Sequence, residues 1–377
     1  MDGKGMDGNM GENIHDSAEG SREAQTVENS AMLGDREAQA SDSGEAQTAE
    51  DSVLEAKRTF SRLGWCYVVG TLVMNGAQIV LFPLVSLYHP EWMSSTNIML
   101  VLSSIITYGL TMPLIYLLAR SMPTKKPEKR RIKVGQFLVL FLMCYALIFV
   151  SNIVGNVVTA VAGLMKGSQV DNKLIGYVTS SKASIMLVIM VFLAPVIEEL
   201  IFRKVLVDRT LKYGAGMSVV LSGLMFGLFH GNMNQFAYAV VLGAFFAYIY
   251  IRTGDIRITM GLHMMVNFLG SIVASALLKA IHYDELLTAA TENPEMLLEI
   301  VGRNAVGWVL YGLYAVLILS VVIAGIVLLV LNRKKFVLQP GEVQVPGDQR
   351  LQTLILNPGM LFFCLLWIGT ILYQMFA

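Results

Sequence analysis

Two adjacent carboxylates, Glu198 and Glu199, close the apolar run MLVIMVFLAPVIEELIFR, in a chain that otherwise keeps its acids out of hydrophobic segments. An ionisable side chain inside a membrane span costs roughly 2.5 to 3.5 kcal/mol on insertion scales, so an adjacent pair points to function. On a helix, Glu199 and Arg203 face each other at i,i+4 spacing and can form an ion pair, while Glu198 points about 100° away. Different jobs follow. Arg203 neutralises and orients Glu199, and Glu198 is left to face a cavity and act on water. Pro195, one turn earlier, cannot donate to the helix ladder and frees backbone carbonyls nearby. The plainer alternative is a helix end at the interface whose charges reach toward headgroups.

The spans that follow add two further polar elements. In FGLFHG, Phe226 and His230 share a helix face, and Gly223, Gly227 and Gly231 form a row that lets a neighbouring helix approach closely. The glycines read as packing, and His230 taken alone could be a hydrogen-bonded packing histidine. In HMMVN, His263 and Asn267 stand one turn apart and can aim at a single reacting atom. Taken alone, that pair could equally be interhelical hydrogen-bonding glue worth ~0.6 kcal/mol. Carboxylate, imidazole and amide together suit water-based chemistry, because a carboxylate and an imidazole can share a proton while N–H groups meet developing negative charge.

The elements that must position these residues are membrane helices. The chain has 377 residues, 55% hydrophobic and 15% charged, which describes a polytopic membrane protein and excludes a soluble enzyme. Apolar stretches near 62–87, 97–119, 135–165, 180–200, 215–231, 235–251, 257–279, 304–331 and 354–376 predict an all-α bundle of eight or nine transmembrane helices. Residues 1–56 are acidic, poor in aromatic and β-branched side chains, and expected to be a disordered tail. Residues 57–335 form the bundle, with its motif core at 180–270, and residues 336–377 a loop and a last span. The three cysteines, Cys66, Cys144 and Cys364, lie in apolar stretches without ligand spacing. With a cytoplasmic N-terminus, the clusters at 120–133, 203–212, 252–257 and 333–335 all fall inside and the acidic segment 282–300 outside. That basic charge belongs to membrane loops, so no nucleic-acid partner is expected.

One geometric difficulty stands. If Arg203 lies near the inner surface, Glu198 is roughly 7 Å deep, whereas His230 is about 20 Å from the start of its span. Tilt, the Pro195 kink, or extension of the fourth helix toward Lys212 must close the gap.

Glu198-Glu199-x-x-x-Arg203, Phe226-x-x-x-His230 and His263-x-x-x-Asn267 together resemble the three-motif signature of the CPBP family. That family comprises the CAAX prenyl endopeptidases related to the Ras-converting enzyme and the bacteriocin-processing or immunity relatives called Abi proteins. The resemblance covers residues 180 to 270. It implies a helical intramembrane endopeptidase in which Glu198 and His230 activate the attacking water and His263 and Asn267 stabilise the oxyanion. Glu199, Arg203 and Phe226 would support them. The family also carries a metalloprotease label, in which Glu198, His230 and His263 would bind zinc. Three O/N ligands and a water form a valid catalytic set, yet the chain has no HExxH pair. The expected partners are a protein or peptide substrate and the bilayer, in a bacterial plasma membrane. A non-proteolytic scaffold or immunity protein of the same fold is the alternative, and a transporter a more distant one, since no inverted repeat is visible.

Overall fold

The computed structural model describes residues 12–376 except Asp171 and Pro294, with residues 12–49, Lys173, Thr291 and Glu292 described by backbone alone. The disordered tail expected over residues 1–56 lies largely outside the residues described in full. Every described element is a helix, and among the described residues eight helices are long and apolar enough to cross a membrane. They are α1 (Glu50–Tyr88, the apolar part of the helix Glu12–Tyr88), α2 (Thr96–Ala119), α3 (Val134–Lys166), α4 (Ala183–Tyr213), α6 (Met233–Thr253), α7 (Ile256–Ala280), α8 (Ala305–Lys335) and α9 (Pro358–Phe376). The ninth apolar stretch is the shorter helix α5 (Ala215–Phe229). Half of the apolar window of α6 is buried, against 11% of that of α8. So α6 is central, packed between α5 and α3, while α8 lies at the margin against α3.

The row of small residues on α5 explains that tight centre. A Cβ on Gly223 would stand 2.6 Å from the Val240 carbonyl oxygen, and one on Gly227 2.9 Å from the Val240 nitrogen. Glycine removes the bulk that would hold α5 off α6, as the sequence spacing predicts. The last span joins the same unit, Ala56–Ala377. Trp65 of α1 stacks on Phe362 at 5.5 Å, and Trp367 packs on Phe229 at 5.0 Å.

The fourth span runs past its apolar stretch. It continues to Tyr213 instead of ending near residue 200, which is the extension toward Lys212 among the three ways of closing the depth gap, so Arg203 and Arg209 are both buried helix residues. Their partners make this possible. Arg203 pairs with Glu199, and Arg209 donates to the carbonyls of Ala119 and Val205, each at 2.9 Å. The chain then reverses at Gly214, whose φ of +114° only glycine adopts without strain. Glu198 and His230 each stand sixteen residues from that glycine, on antiparallel arms. The extension of α4 therefore brings them to one level.

The basic segments meet at one end of the bundle. The Lys125 amide donates to the Asp208 carbonyl at 2.6 Å, that of Arg130 to Thr253 at 2.7 Å, and that of Val343 to Lys212 at 3.0 Å. Short helices, Tyr283–Glu292 and Met296–Arg303, carry the acidic connection between α7 and α8.

Candidate active site

The α4 helix changes register just before the glutamates. The Ala194 amide donates to Ile189, five residues back, which makes a π-type turn. The next residue, Pro195, has no N–H to give. The Met190 carbonyl thereby loses both helical donors, and a buried carbonyl without a partner is costly. Asn267 of α7 supplies the bond, its Nδ2 donating to Met190 at 2.8 Å. A freed carbonyl near the glutamates is the consequence expected of Pro195, and the motif asparagine is what meets it.

Glu199 and Arg203 are both fully buried. Arg203 Nε lies 3.0 Å from Glu199 Oε2 and Nη2 donates to Oε1 at 3.0 Å. The remaining Nη1 donates to Ser222 Oγ at 3.1 Å, and that hydroxyl in turn donates a hydrogen bond to the Phe202 carbonyl at 2.9 Å. The guanidinium also sits over the rings of Phe226 and Phe246, 5.1 and 5.7 Å from their centroids. Glu198 differs in every respect. It is 14% exposed and faces a cavity. Its Oε1 accepts from the Tyr108 hydroxyl at 2.8 Å, and its Oε2 is 3.8 Å from His263 Nε2, beyond hydrogen-bond range.

His230 ends α5, and its Nδ1 lies 2.7 Å from the Phe226 carbonyl. A carbonyl only accepts, so Nδ1 carries the hydrogen and the neutral ring presents Nε2 as a base. His263 is held in the same manner by a carboxylate, its Nδ1 donating to Glu199 Oε1 at 3.2 Å. Its Nε2 is then a lone pair in the neutral ring and an N–H only in the imidazolium. Phe226 stands between the two histidines, edge-on to both at 4.8 and 5.8 Å. Phe226 thus supports the site with its carbonyl as well as its ring.

Glu198, His230, His263 and Asn267 all line one cavity of about 510 Å³. Glu199 and Arg203 are sealed behind its wall. The cavity lining also carries polar side chains that the three motifs do not include, namely Tyr108, Tyr145, Asn152, Gln235 and Tyr238. Each is a polar group inside an apolar span, which was the available signal. What the sequence lacks is any mark of which partner each one meets. Beside the cavity, an apolar groove of about 620 Å³ runs between α2 and α4 and shares Ser104, Tyr108 and Ile189 with it. Among the described residues, no three His, Cys, Asp or Glu side chains are grouped so as to hold a metal ion.

Residues 180–269 match the family model described as type II CAAX prenyl endopeptidase Rce1-like. Over 213 residues the chain is 22% identical to the Bacillus subtilis (strain 168) protein named "Putative membrane peptidase YdiL", covering 54% of this chain and 85% of that relative. No solved structure matches the chain. All seven motif residues fall inside the matched segment, and Tyr108, Tyr145 and Asn152 fall outside it. The resemblance drawn from the three motifs is thus borne out over the segment that holds them, which is similar to the Rce1-like type II CAAX prenyl endopeptidases.

Proposed function

We propose that the protein is an intramembrane endopeptidase that hydrolyses a peptide bond of a membrane-associated or C-terminal-tail substrate. One observation carries the proposal: the four motif groups Glu198, His230, His263 and Asn267 meet in a single cavity, with a buried ion pair holding them from behind. Glu198 and His230 Nε2 are the bases available to a water in that cavity. One takes the proton as the water adds to the peptide carbonyl, and returns it to the leaving amine. The second N–H of Asn267 and, in the imidazolium form, His263 Nε2–H donate to the oxyanion. The carboxylates of Glu198 and Glu199 flank His263, at 3.8 and 3.2 Å from its two ring nitrogens. No step is routed through a metal.

The matched family's name and the relative's name support peptide substrates, the polytopic span pattern supports an integral membrane site, and the bacterial source of that relative is what supports placing it in a bacterial plasma membrane. The gathering of basic segments at one end of the bundle supports a cytoplasmic N-terminus by the positive-inside rule. Cysteines placed at Lys126 and Glu295 should then label from opposite sides with an impermeant reagent, and same-side labelling would reverse the orientation argument. The proteolytic reading is tested by substrate trapping. A Glu198→Ala variant should retain membrane proteins that the wild type cleaves, identified by mass spectrometry through fragments present with the wild type alone. Partners held equally by both forms and never cleaved would replace the peptidase with a scaffold.

A further inference from the structure

We infer that Tyr108 is a positioning residue of the proposed hydrolysis, its hydroxyl fixing one oxygen of Glu198 so that the other is left to the attacking water. The inference rests on the peptidase reading of the same cavity, and it concerns a residue of α2, outside the matched segment.

Among the described residues, the hydrogen bond Glu198 accepts is the one from Tyr108, at 2.8 Å. An ionised carboxylate has no proton to give, so the phenol is the donor and the contact is charge-assisted. With Oε1 occupied, the carboxylate cannot turn freely, and Oε2 is the oxygen presented on the side of His263. Other phenols line the cavity without this relation. The Tyr238 hydroxyl, for example, accepts from Gln235 Nε2 at 3.0 Å.

The backbone of α2 is built to aim this side chain. The Met112 amide donates to Thr107, five residues back, and the following residue, Pro113, has no N–H. The same device, a π-type turn closed by proline, stands in α4 at Ala194 and Pro195. In each helix the residue whose carbonyl is skipped, Tyr108 or Met190, lines the cavity. A π turn shifts the residues before it relative to those after it, so each widened turn contributes a residue to the cavity lining. Tyr108 also borders the apolar groove between α2 and α4, which places it where the cavity meets that groove.

The test is Tyr108→Phe, which removes one oxygen and keeps the ring. With a fluorogenic peptide that the wild type cleaves, kcat should fall about 10- to 100-fold while KM stays within about twofold, as for loss of a hydrogen bond to a charged group. In a Glu198→Gln background the same substitution should change the residual rate less than about twofold, because no carboxylate is left at that position to orient toward the water. Equal factors in the two backgrounds, or an unchanged kcat in Tyr108→Phe, would overturn the proposal. A Glu198→Gln rate equal to wild type would instead remove the peptidase mechanism. Thermal unfolding of Tyr108→Phe, Glu198→Ala and the double variant gives a readout that needs no turnover. Coupled effects support the contact, and strictly additive effects reject it whatever the activity.

Discussion

Replacing Arg203 and replacing Glu198 should produce opposite phenotypes, and the structure sets the sizes. Arg203 and Glu199 have no exposed side-chain surface and meet through two contacts of 3.0 Å. Arg203→Ala leaves the Glu199 carboxylate charged and enclosed, without its cationic partner of matching geometry. Removing one partner of such a pair costs about 3 to 5 kcal/mol. The guanidinium also covers two aromatic rings, so packing is lost as well. Glu198→Gln is different because the new amide keeps the shape and its oxygen still accepts from Tyr108. The change from a charged to a neutral acceptor should cost about 1 kcal/mol or less. Turnover should nonetheless fall by about 10² to 10⁴, the usual consequence of losing a general base. Thermal unfolding in detergent and cleavage of a fluorogenic peptide, run on the same preparations, measure both. A third variant, Glu199→Met with Arg203→Met, removes the pair together and should recover most of the lost stability, since an apolar replacement of a buried pair is often neutral or better. Equal stability losses in Arg203→Ala and Glu198→Gln, with equal residual turnover, would refute the division of labour between the two glutamates.

Four further substitutions have expected outcomes. His263→Ala should lower turnover by roughly 10² to 10³ as for loss of one preorganised donor, with metal content unchanged by elemental analysis; stoichiometric zinc lost together with activity would instead make His263 a ligand. Gly227→Ala should destabilise by about 1 to 3 kcal/mol, because its new methyl meets the Val240 backbone of α6 at 2.9 Å. Gly312→Ala, with nothing within 4 Å, should leave the unfolding midpoint where it is or raise it slightly. Asp255→Ala should cost about 1 kcal/mol, because Asp255 caps α7 by accepting from the Arg257 amide at 3.1 Å. Hydrogen bonds from the Arg257 side chain lower the Asp255 carboxyl to about 2. Its folded value is thus below the unfolded value of ~3.9, so the contribution is present above that value and is lost as pH falls toward 2. Unfolding followed between neutral and acid pH should show the gap between variant and wild type closing below about pH 4.

Much of the site was legible because its determinants are local. The Glu199–Arg203 pair follows from i,i+4 spacing, the approach of α5 to α6 follows from glycines every fourth residue, and the carbonyl freed near the glutamates follows from Pro195. The boundary of α4 lies beyond its apolar stretch for a physical reason. Arg203 and Arg209 read as loop charges in a hydropathy profile, yet each is satisfied internally, by a carboxylate or by backbone carbonyls. A profile sums residue types and contains no term for a partner.

By itself the sequence determined the all-α membrane architecture, the apolar stretches that become its helices, the three motifs and the different orientations of Glu198 and Glu199. Hydrophobic periodicity and covalent spacing act over a turn or two, and these features need nothing longer. Tertiary structure alone decided that Tyr108 holds Glu198, that Asn267 meets the Met190 carbonyl and that His263 leans on Glu199, contacts between residues 90, 77 and 64 positions apart. It also decided that Glu198 and His230 share a level, through the length of α4 and the turn at Gly214. Such pairings depend on how helices cross and where they stop, which is set by the packing of whole faces and by the need to satisfy every buried polar group.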